Sequence, residues 1–165
     1  MEVFLSESHR SKETSTILGH VVELLLQTSR SSFRMSSLKY WVKPAIELGQ
    51  IKIFFDKSGT AVGFCTWAYV GDDLAAKLGS QDVLALHLSE WNEGLNLWFV
   101  DFVALNGYAF TIARWMKRNM FESFAAASGA RGSAEDGSKR TFRFRRYPFG
   151  EERCKAADTT GKGAV

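Results

Sequence analysis

Apolar residues recur along the chain with two different periods, and their order predicts a domain that mixes helices and strands. Residues 15–29, STILGHVVELLLQTS, carry apolar positions with the spacing of a largely buried helix. Residues 38–49, LKYWVKPAIELG, predict further helix that is irregular around Pro44 and ends at Gly49. QIKIFFD and TAVGFCTWAYV, within residues 50–70, flank the turn KSG and predict a β-hairpin.

The second half of the chain predicts short helices, a central strand, another helix and an edge strand. Residues 72–94 fit one or two short helices, and NLWFVDFVAL at 96–105 is apolar on both faces, as a central strand is. Residues 108–124 predict a helix, residues 125–139 a flexible loop of small polar residues, and RTFRFRRYPF at 140–149 an edge strand with one apolar and one cationic face. The sheet-facing positions predicted for the last helix are Phe110, Ala113, Met116 or Lys117, and Met120.

This order of elements predicts an α+β fold in which helices pack on a mostly antiparallel central sheet. The chain has 165 residues, which is a usual length for one domain with a substantial core. We expect a flexible leader at residues 1–14, a single domain at 15–150 and a disordered tail at 151–165.

Charge is distributed unevenly, although the net charge is only +3. Residues 131–165 contain nine Lys or Arg against five acidic residues, whereas residues 1–130 contain twelve against thirteen. A basic end favours an acidic partner. Nucleic acid is the generic partner of this kind, but no nucleic-acid recognition motif is present in the sequence, and a solvated basic tail is the alternative.

The remaining composition excludes several classes of protein. The N-terminal segment MEVFLSESHRSKE is polar and has no signal-peptide core, and no apolar run is long enough to span a membrane, so we expect a cytoplasmic protein. Cys65 and Cys154 are far apart in sequence and are predicted to be free thiols. No Cys and His spacing suggests a metal site.

Asp101 is the unusual residue, since it interrupts the apolar run LWFVDFVAL. A buried carboxylate costs several kcal/mol unless a partner compensates it. One interpretation is a structural hydrogen bond to neighbouring backbone or to an arginine of RFRR, and the other is a functional site. Strand alternation predicts that Asp101 shares a face with Leu97, Phe99, Val103 and Leu105.

Three segments of the chain resemble the RTX toxin-activating lysine acyltransferases, the hemolysin-activating proteins. They are ILGHV at 17–21, PAIELGQIKIFFDKSGTAVGFCTWAYV at 44–70 and WNEGLNLWFVDFVALNG at 91–107. The likeness extends over roughly residues 17–121, with a looser match at FRFRRY. The motifs that carry it are Pro44-Ala45-Ile46 with Gln50, Cys65-Thr66-Trp67-Ala68, and Trp98-Phe99-Val100-Asp101-Phe102-Val103-Ala104.

The resemblance implies a GNAT-like fold and transfer of a fatty acyl group from acyl carrier protein to internal lysines of a pore-forming toxin. Acyl carrier protein, as acyl donor, and an RTX-type protoxin would then be the partners, with no bound cofactor, no metal, no nucleic acid and no membrane span. A homodimer is compatible with this family.

By the same resemblance, Asp101 is the family's catalytic aspartate, which works with a histidine after the first helix. That histidine aligns with Arg30 or Ser31, and no histidine occurs between residues 21 and 86. His20, in ILGHV, is the candidate replacement for the base. A lysine amine attacks only when neutral, so a base that takes its proton is a chemical requirement.

The resemblance also suggests the residues that bind the substrates. Trp67 and Trp98 are candidates for lining an acyl channel, although strand tryptophans usually belong to the core. Backbone amides near Gly107 and the following helix are candidates for stabilising the oxyanion. Arg143 and Arg145 are candidates for docking the acidic acyl carrier protein.

Three alternatives remain from the sequence. The first is a catalytically impaired homologue that lacks the family histidine and retains only binding of acyl carrier protein or toxin. The second is a covalent route through Cys65 or, without a visible base, through Ser31 or Ser32. The third is an acetyl-CoA-dependent enzyme, but NGYAFTIAR after the Asp101 strand has one glycine where a pyrophosphate loop is glycine-rich.

Overall fold

The computed structural model describes residues 4–5, 12–28, 34–80, 86–120, 126–132 and 139–145. The helices are α1 Lys12–Leu26, α2 Met35–Trp41, α3 Lys43–Glu47, α4 Asp72–Ser80 and α5 Ala109–Asn119, with a 3₁₀ helix at Leu88–Trp91. The strands are β1 Phe4–Leu5, β2 Ile51–Phe55, β3 Ala61–Val70, β4 Asn96–Ala104, β5 Ala126–Gly132 and β6 Lys139–Arg145.

The strands among the described residues form one six-stranded sheet in which spatial order follows chain order, from β1 to β6. Every neighbouring pair is antiparallel except β4 and β5, which are parallel. The sheet is thus mostly antiparallel with helices packed against it, and the predicted α+β class is confirmed.

Two hydrophobic clusters cover the two faces of the sheet. The α1 face, which also receives α3, α4 and the 3₁₀ helix, includes Val21, Leu24, Ala45, Phe64, Ala68, Trp91, Trp98 and Val103. The α5 face includes Phe54, Val62, Cys65, Leu97, Phe99, Ile112, Met116 and Ala127. Because β4 contributes to both clusters, it is the central strand that its composition predicts.

The first helix begins at Lys12, three residues before its predicted start, and Phe4–Leu5 pair with β2. Two short parts of the predicted leader therefore belong to regular structure. The irregularity predicted around Pro44 is a break between two helices, because α2 ends at Trp41 and Pro44 lies in the first turn of α3. Gly49 has a φ of 68°, the left-handed conformation that follows many helices.

The prediction of a loop over residues 125–139 is wrong for its first part, which forms β5. Alanine, serine and glycine have weak strand propensity, so the strand is established by its pairing with β4 and β6. A Cβ atom at Gly129 would lie 2.6 Å from Cζ of Phe142, so glycine lets that ring lie close over the strand.

The helix after β4 is present, but the prediction that Phe110 faces the sheet is wrong. Phe110 is 71% exposed, whereas Ile112 and Met116 are the buried residues of α5. The helical period allows either assignment, and the packing of Ile112 against the α5 face selects the observed one.

The predicted disordered tail at 151–165 lies outside the described residues. Among the residues that the structure describes, no helix is both long and apolar enough to cross a membrane.

Candidate active site

The central feature of the sheet is an opening between β4 and β5. The two strands pair only from Leu97 to Phe99 and from Ala127 to Gly129. Both strands continue beyond this ladder, β4 to Ala104 and β5 to Gly132, without further pairing between them. Within the part of the chain that the structure describes, the second half of β4 therefore has a strand neighbour on one side only, and its other edge faces a gap in the sheet.

A β-bulge lies where this gap begins. Thr66 pairs with Asp101 and the next residue of β3, Trp67, pairs with Phe99, so Val100 is the extra residue in β4. The bulge changes which side chains share a face. Leu97 and Phe99 belong to the α5 face, whereas Val103 belongs to the α1 face.

The prediction that Asp101 shares a face with Leu97 and Phe99 is therefore wrong. Asp101 lies directly opposite Thr66, and Thr66 lies between Phe64 and Ala68, both of which point to the α1 face. Directly paired residues share a face of a sheet, so Asp101 points to the α1 face as well. It is buried, with 7% of its surface exposed.

The Asp101 carboxylate also reaches toward the gap. Its Oδ1 accepts a hydrogen bond from the backbone N–H of Phe102 at 2.8 Å. The N–H of Leu105 donates to Val62 on β3, and backbone N–H groups alternate between the two edges of a strand. The Phe102 N–H consequently points away from β3, toward the side on which β4 and β5 separate. This contact also satisfies the structural interpretation of a carboxylate bonded to neighbouring backbone.

Thr66 adds a second buried polar group to the same row of the sheet. Its side chain is fully buried, and its Oγ1 has no hydrogen-bond partner among the described residues. Gln50 is buried nearby on the chain that enters β2, and its backbone C=O accepts from the Trp67 N–H. The Gln50 amide donates to the Trp91 C=O at 3.4 Å and to Asn92 Oδ1 at 2.5 Å.

His20 lies elsewhere on the α1 side. Its ring packs edge-on against Phe55 with 5.1 Å between centroids, and its Nδ1 is 3.8 Å from a carboxylate oxygen of Glu23. Phe55 is four residues along β2 from Ile51, which pairs with Thr66 in the row of Asp101. That separation is roughly 13 Å along the strand. The structure does not bring His20 and Asp101 into a direct dyad, and a role for His20 as base stays a prediction without geometric support.

The two candidate channel tryptophans point to opposite faces. Trp98 is buried in the α1 cluster, whereas Trp67 is half-buried against the α5 cluster. A channel confined to one face of the sheet would therefore be lined by one of these rings and not by both.

Gly107 lies in the short connection between β4 and α5. It has a φ of 86°, which glycine adopts without strain, and the neighbouring Tyr108 N–H donates to the Leu105 C=O at 3.1 Å. This turn starts α5 directly beyond the unpaired end of β4.

The two candidate docking arginines lie on the edge strand, away from the gap. Arg143 is exposed and pairs with Ser128, and Arg145 pairs with Ala126. Ser128 lies within the ladder that β5 forms with β4, and Ala126 directly precedes it, so both arginines lie beside the paired half of β5.

Cys65 is a fully buried free thiol on the α5 face. Burial raises its pKa far above the ordinary value of 9.0, while nearby Lys52 opposes the shift and Asp101 adds to it. A protonated, inaccessible thiol is a poor nucleophile, so the covalent route through Cys65 has no structural support. No group of three or more His, Cys, Asp or Glu side chains that could hold a metal ion occurs among the described residues.

Sequence reasoning missed two buried polar residues on this side of the sheet, namely Thr66, which pairs with Asp101, and Gln50, which lies on the chain that enters β2. Thr66 follows Cys65 in an apolar strand, and a threonine there is an ordinary strand residue. Its pairing with Asp101 could have been found only from the register, which depends on the bulge at Val100.

Solved structures with a similar fold place the chain in a class. A GNAT-family acetyltransferase from Listeria monocytogenes matches 88% of this chain and 96% of its own length, with a TM-score of 0.52 and 10% identity. GphF, a GNAT-like decarboxylase in complex with isobutyryl-CoA, matches 81% of this chain and 68% of its own, with a TM-score of 0.54 and 11% identity. At such identities the likeness shows the fold alone, and that fold is GNAT-like.

Sequence comparison then gives the family. Residues 10–147 match the RTX toxin acyltransferase family, and the chain belongs to it. The leukotoxin-activating lysine-acyltransferase LtxC of Aggregatibacter actinomycetemcomitans is 28% identical over 121 residues, which are 72% of this chain and 71% of that protein. The RTX-III toxin-activating lysine-acyltransferase ApxIIC of Actinobacillus pleuropneumoniae is 30% identical over 122 residues, 73% of this chain and 69% of the relative.

Proposed function

We propose that the protein transfers a fatty acyl group from acyl carrier protein to lysine ε-amino groups of an RTX-type protoxin. Membership of the family and the names of its lysine-acyltransferase relatives support acyl transfer as the reaction. The observation that carries the site is Asp101, a buried carboxylate at the point where β4 and β5 separate. Because acyl carrier protein is a cytoplasmic donor, the reaction would take place in the cytoplasm.

In this reaction the lysine nitrogen bonds to the carbonyl carbon of the thioester, and the carbon–sulfur bond then breaks. The amine must lose a proton as it attacks, and the departing thiolate must gain one. Asp101 would accept that proton or would orient and charge-stabilise the base that accepts it. Backbone amides at the Gly107 turn and the start of α5 are the proposed donors to the developing oxyanion.

The gap beside Asp101 is the proposed position of the thioester. The edge of β4 from Val100 to Ala104 has no β5 neighbour, so an extended acyl-bearing arm could lie along it and accept or donate backbone hydrogen bonds. The carboxylate would then lie beside the reacting carbon, which general acid–base chemistry requires.

The test is Asp101→Asn, which keeps the shape of the side chain and the acceptor for the Phe102 N–H while removing the charge. We expect acyl transfer from acyl carrier protein to a protoxin fragment to fall about 10²- to 10⁴-fold. Asp73→Asn is the matched control, because Asp73 is an exposed carboxylate in the first turn of α4. It should keep the wild-type rate, and both variants should unfold near wild-type urea concentrations.

A second candidate function is binding without turnover. It is favoured by the serine or arginine at the position of the family histidine and by the packing of His20 against Phe55. Wild-type protein that binds acyl carrier protein but transfers nothing, with transfer appearing in Ser31→His, would support it. An active wild type that loses less than tenfold in Asp101→Asn would contradict the role of this carboxylate.

A further inference from the structure

The surface with the strongest unexplained pattern is the solvent-facing side of α5. Four residues at positions 1, 5, 8 and 9 of the helical stretch from Phe110 lie within an arc of about 100° around the helix axis. They are Phe110, Arg114, Lys117 and Arg118, and all four are exposed. We call them the cationic face of α5; the helix Ala109–Asn119 contains no acidic residue to offset its three cations.

Helix electrostatics account for only part of this pattern. Lys117 and Arg118 occupy the last turn, where cations interact favourably with the helix dipole. Arg114 lies before that turn and gains little from it. Its guanidinium lies 4.5 Å from the centroid of the Phe110 ring, which is 71% exposed. A large aromatic side chain held open to solvent beneath an arginine has no role in the core of this domain.

An exposed aromatic ring with arginine at its side is the composition of a binding hot spot, and surrounding cations select an acidic partner. The apolar ring of Phe110 favours a protein surface as the partner. A nucleic acid backbone would bind the cations but would make no contact that requires the ring. Lys52 adds a further charge at the flank, since its Nζ lies 5.0 Å from the centroid of the Trp115 ring.

The position of this surface also fits a donor that delivers its acyl chain to the gap. The turn at residues 105–108 joins the unpaired end of β4 to α5, so Phe110 is among the first helical residues beyond the gap. Arg143 and Arg145, in contrast, lie beside the half of β5 next to the ladder with β4.

We propose that the cationic face of α5, rather than the β6 edge, is the docking surface for the acidic protein that carries the acyl chain. This inference rests on the proposed function for the identity of the partner, and it assigns that partner a site on this chain. Phe110 makes the apolar contact at the centre, and the three cations orient the acidic partner around it.

The experiment measures binding of acyl carrier protein without a bound fatty chain, so that docking is separated from insertion of the chain. Titrations compare wild type with Arg114→Glu/Lys117→Glu and with Phe110→Ser. We expect Kd to rise at least tenfold in the double variant and at least threefold in Phe110→Ser, with the wild-type affinity falling as salt is raised. The KM for the acyl-loaded donor should rise with Kd, while kcat changes less than threefold.

Lys77→Glu is the matched control, because Lys77 is an exposed cation in the last turn of α4 and shares the dipole role of Lys117. It should bind with a Kd within twofold of the wild-type value. Arg143→Glu tests the competing edge in the same titration and should also stay within twofold.

Unchanged binding in the double variant overturns the proposal, as does a loss in Arg143→Glu that exceeds the loss on α5. Absence of any binding of the carrier to wild-type protein, or tighter binding of a 20-base-pair duplex, overturns it as well. Failure of the proposed function gives a different result. If the wild-type protein transfers no acyl group but binds the carrier, and the α5 variants lose that binding, the docking surface stands. Only the proposed acyl transfer is then contradicted.

Discussion

Cys65 and Thr66 are neighbours on β3, are both fully buried, and point to opposite faces of the sheet. The thiol packs with apolar side chains on the α5 face, whereas the hydroxyl points to the α1 face beside Asp101. Among the described residues, the buried polar side chains Gln50, Thr66 and Asp101 are all associated with the α1 side. Burial of polar groups costs free energy, and a surface that only packs against a helix gains nothing from them. The α5 face is therefore a packing surface, whereas the α1 face carries the buried polar groups, among them Asp101, the residue of the proposed chemistry.

The largest expected effect tests close packing on the α5 face. A Cβ atom at Gly63 would lie 2.6 Å from the backbone oxygen of Val103 and 2.7 Å from Cδ1 of Ile112. Gly63→Ala should lower the free energy of unfolding by about 2–3 kcal/mol, because the backbone oxygen cannot move without disturbing β4. Urea unfolding followed by circular dichroism measures this loss.

Gly19→Ala provides the comparison on α1, where an added Cβ atom meets nothing within 4 Å. It should leave stability unchanged or raise it by up to about 1 kcal/mol, since alanine favours a helix. Equal stability of Gly63→Ala and wild type would show that α5 does not depend on this close approach.

The next effect uses the pKa of the buried thiol. Burial raises the pKa of Cys65 above its ordinary value of 9.0, so the folded protein keeps a proton that the unfolded chain releases. Its contribution to stability is complete below about pH 9 and is lost as the pH rises further. Above that pH the free energy of unfolding should fall by up to about 1.4 kcal/mol per pH unit more in wild type than in Cys65→Ala.

Urea unfolding of wild type and Cys65→Ala from pH 7 to pH 10.5 measures this difference. The titration of groups that both proteins share cancels when the two free energies of unfolding are subtracted. The cavity left by Cys65→Ala adds an offset that does not depend on pH. Parallel stability curves above pH 9 would mean that the thiol titrates normally, and the α5 face would then admit solvent at this position.

The sequence was sufficient to predict those elements whose own apolar residues recur with a clear helical or strand period. The hairpin of β2 and β3 and the central strand β4 follow from alternation and composition, and the confirmed GNAT-like fold follows from the family resemblance. The strand β5 could not be predicted, because Ala127 and Gly129 become strand residues only through their neighbours. The face of Asp101 could not be predicted either, since the bulge at Val100 reverses the alternation that the sequence suggests.

The smallest effect concerns the buried hydroxyl of Thr66, which lies opposite Asp101 on the α1 face. Thr66→Val keeps the shape of the side chain and removes an oxygen that has no hydrogen-bond partner among the described residues. The free energy of unfolding should therefore change by less than about 1 kcal/mol, or rise slightly, because no hydrogen bond is lost and a desolvation cost disappears. Thr66→Ser removes the buried methyl group instead and should cost about 1 kcal/mol. A loss above about 2 kcal/mol in Thr66→Val, measured by urea unfolding, would show that the hydroxyl stabilises the fold. The buried polar groups Thr66 and Asp101 would then belong to a structural network rather than to a site for chemistry.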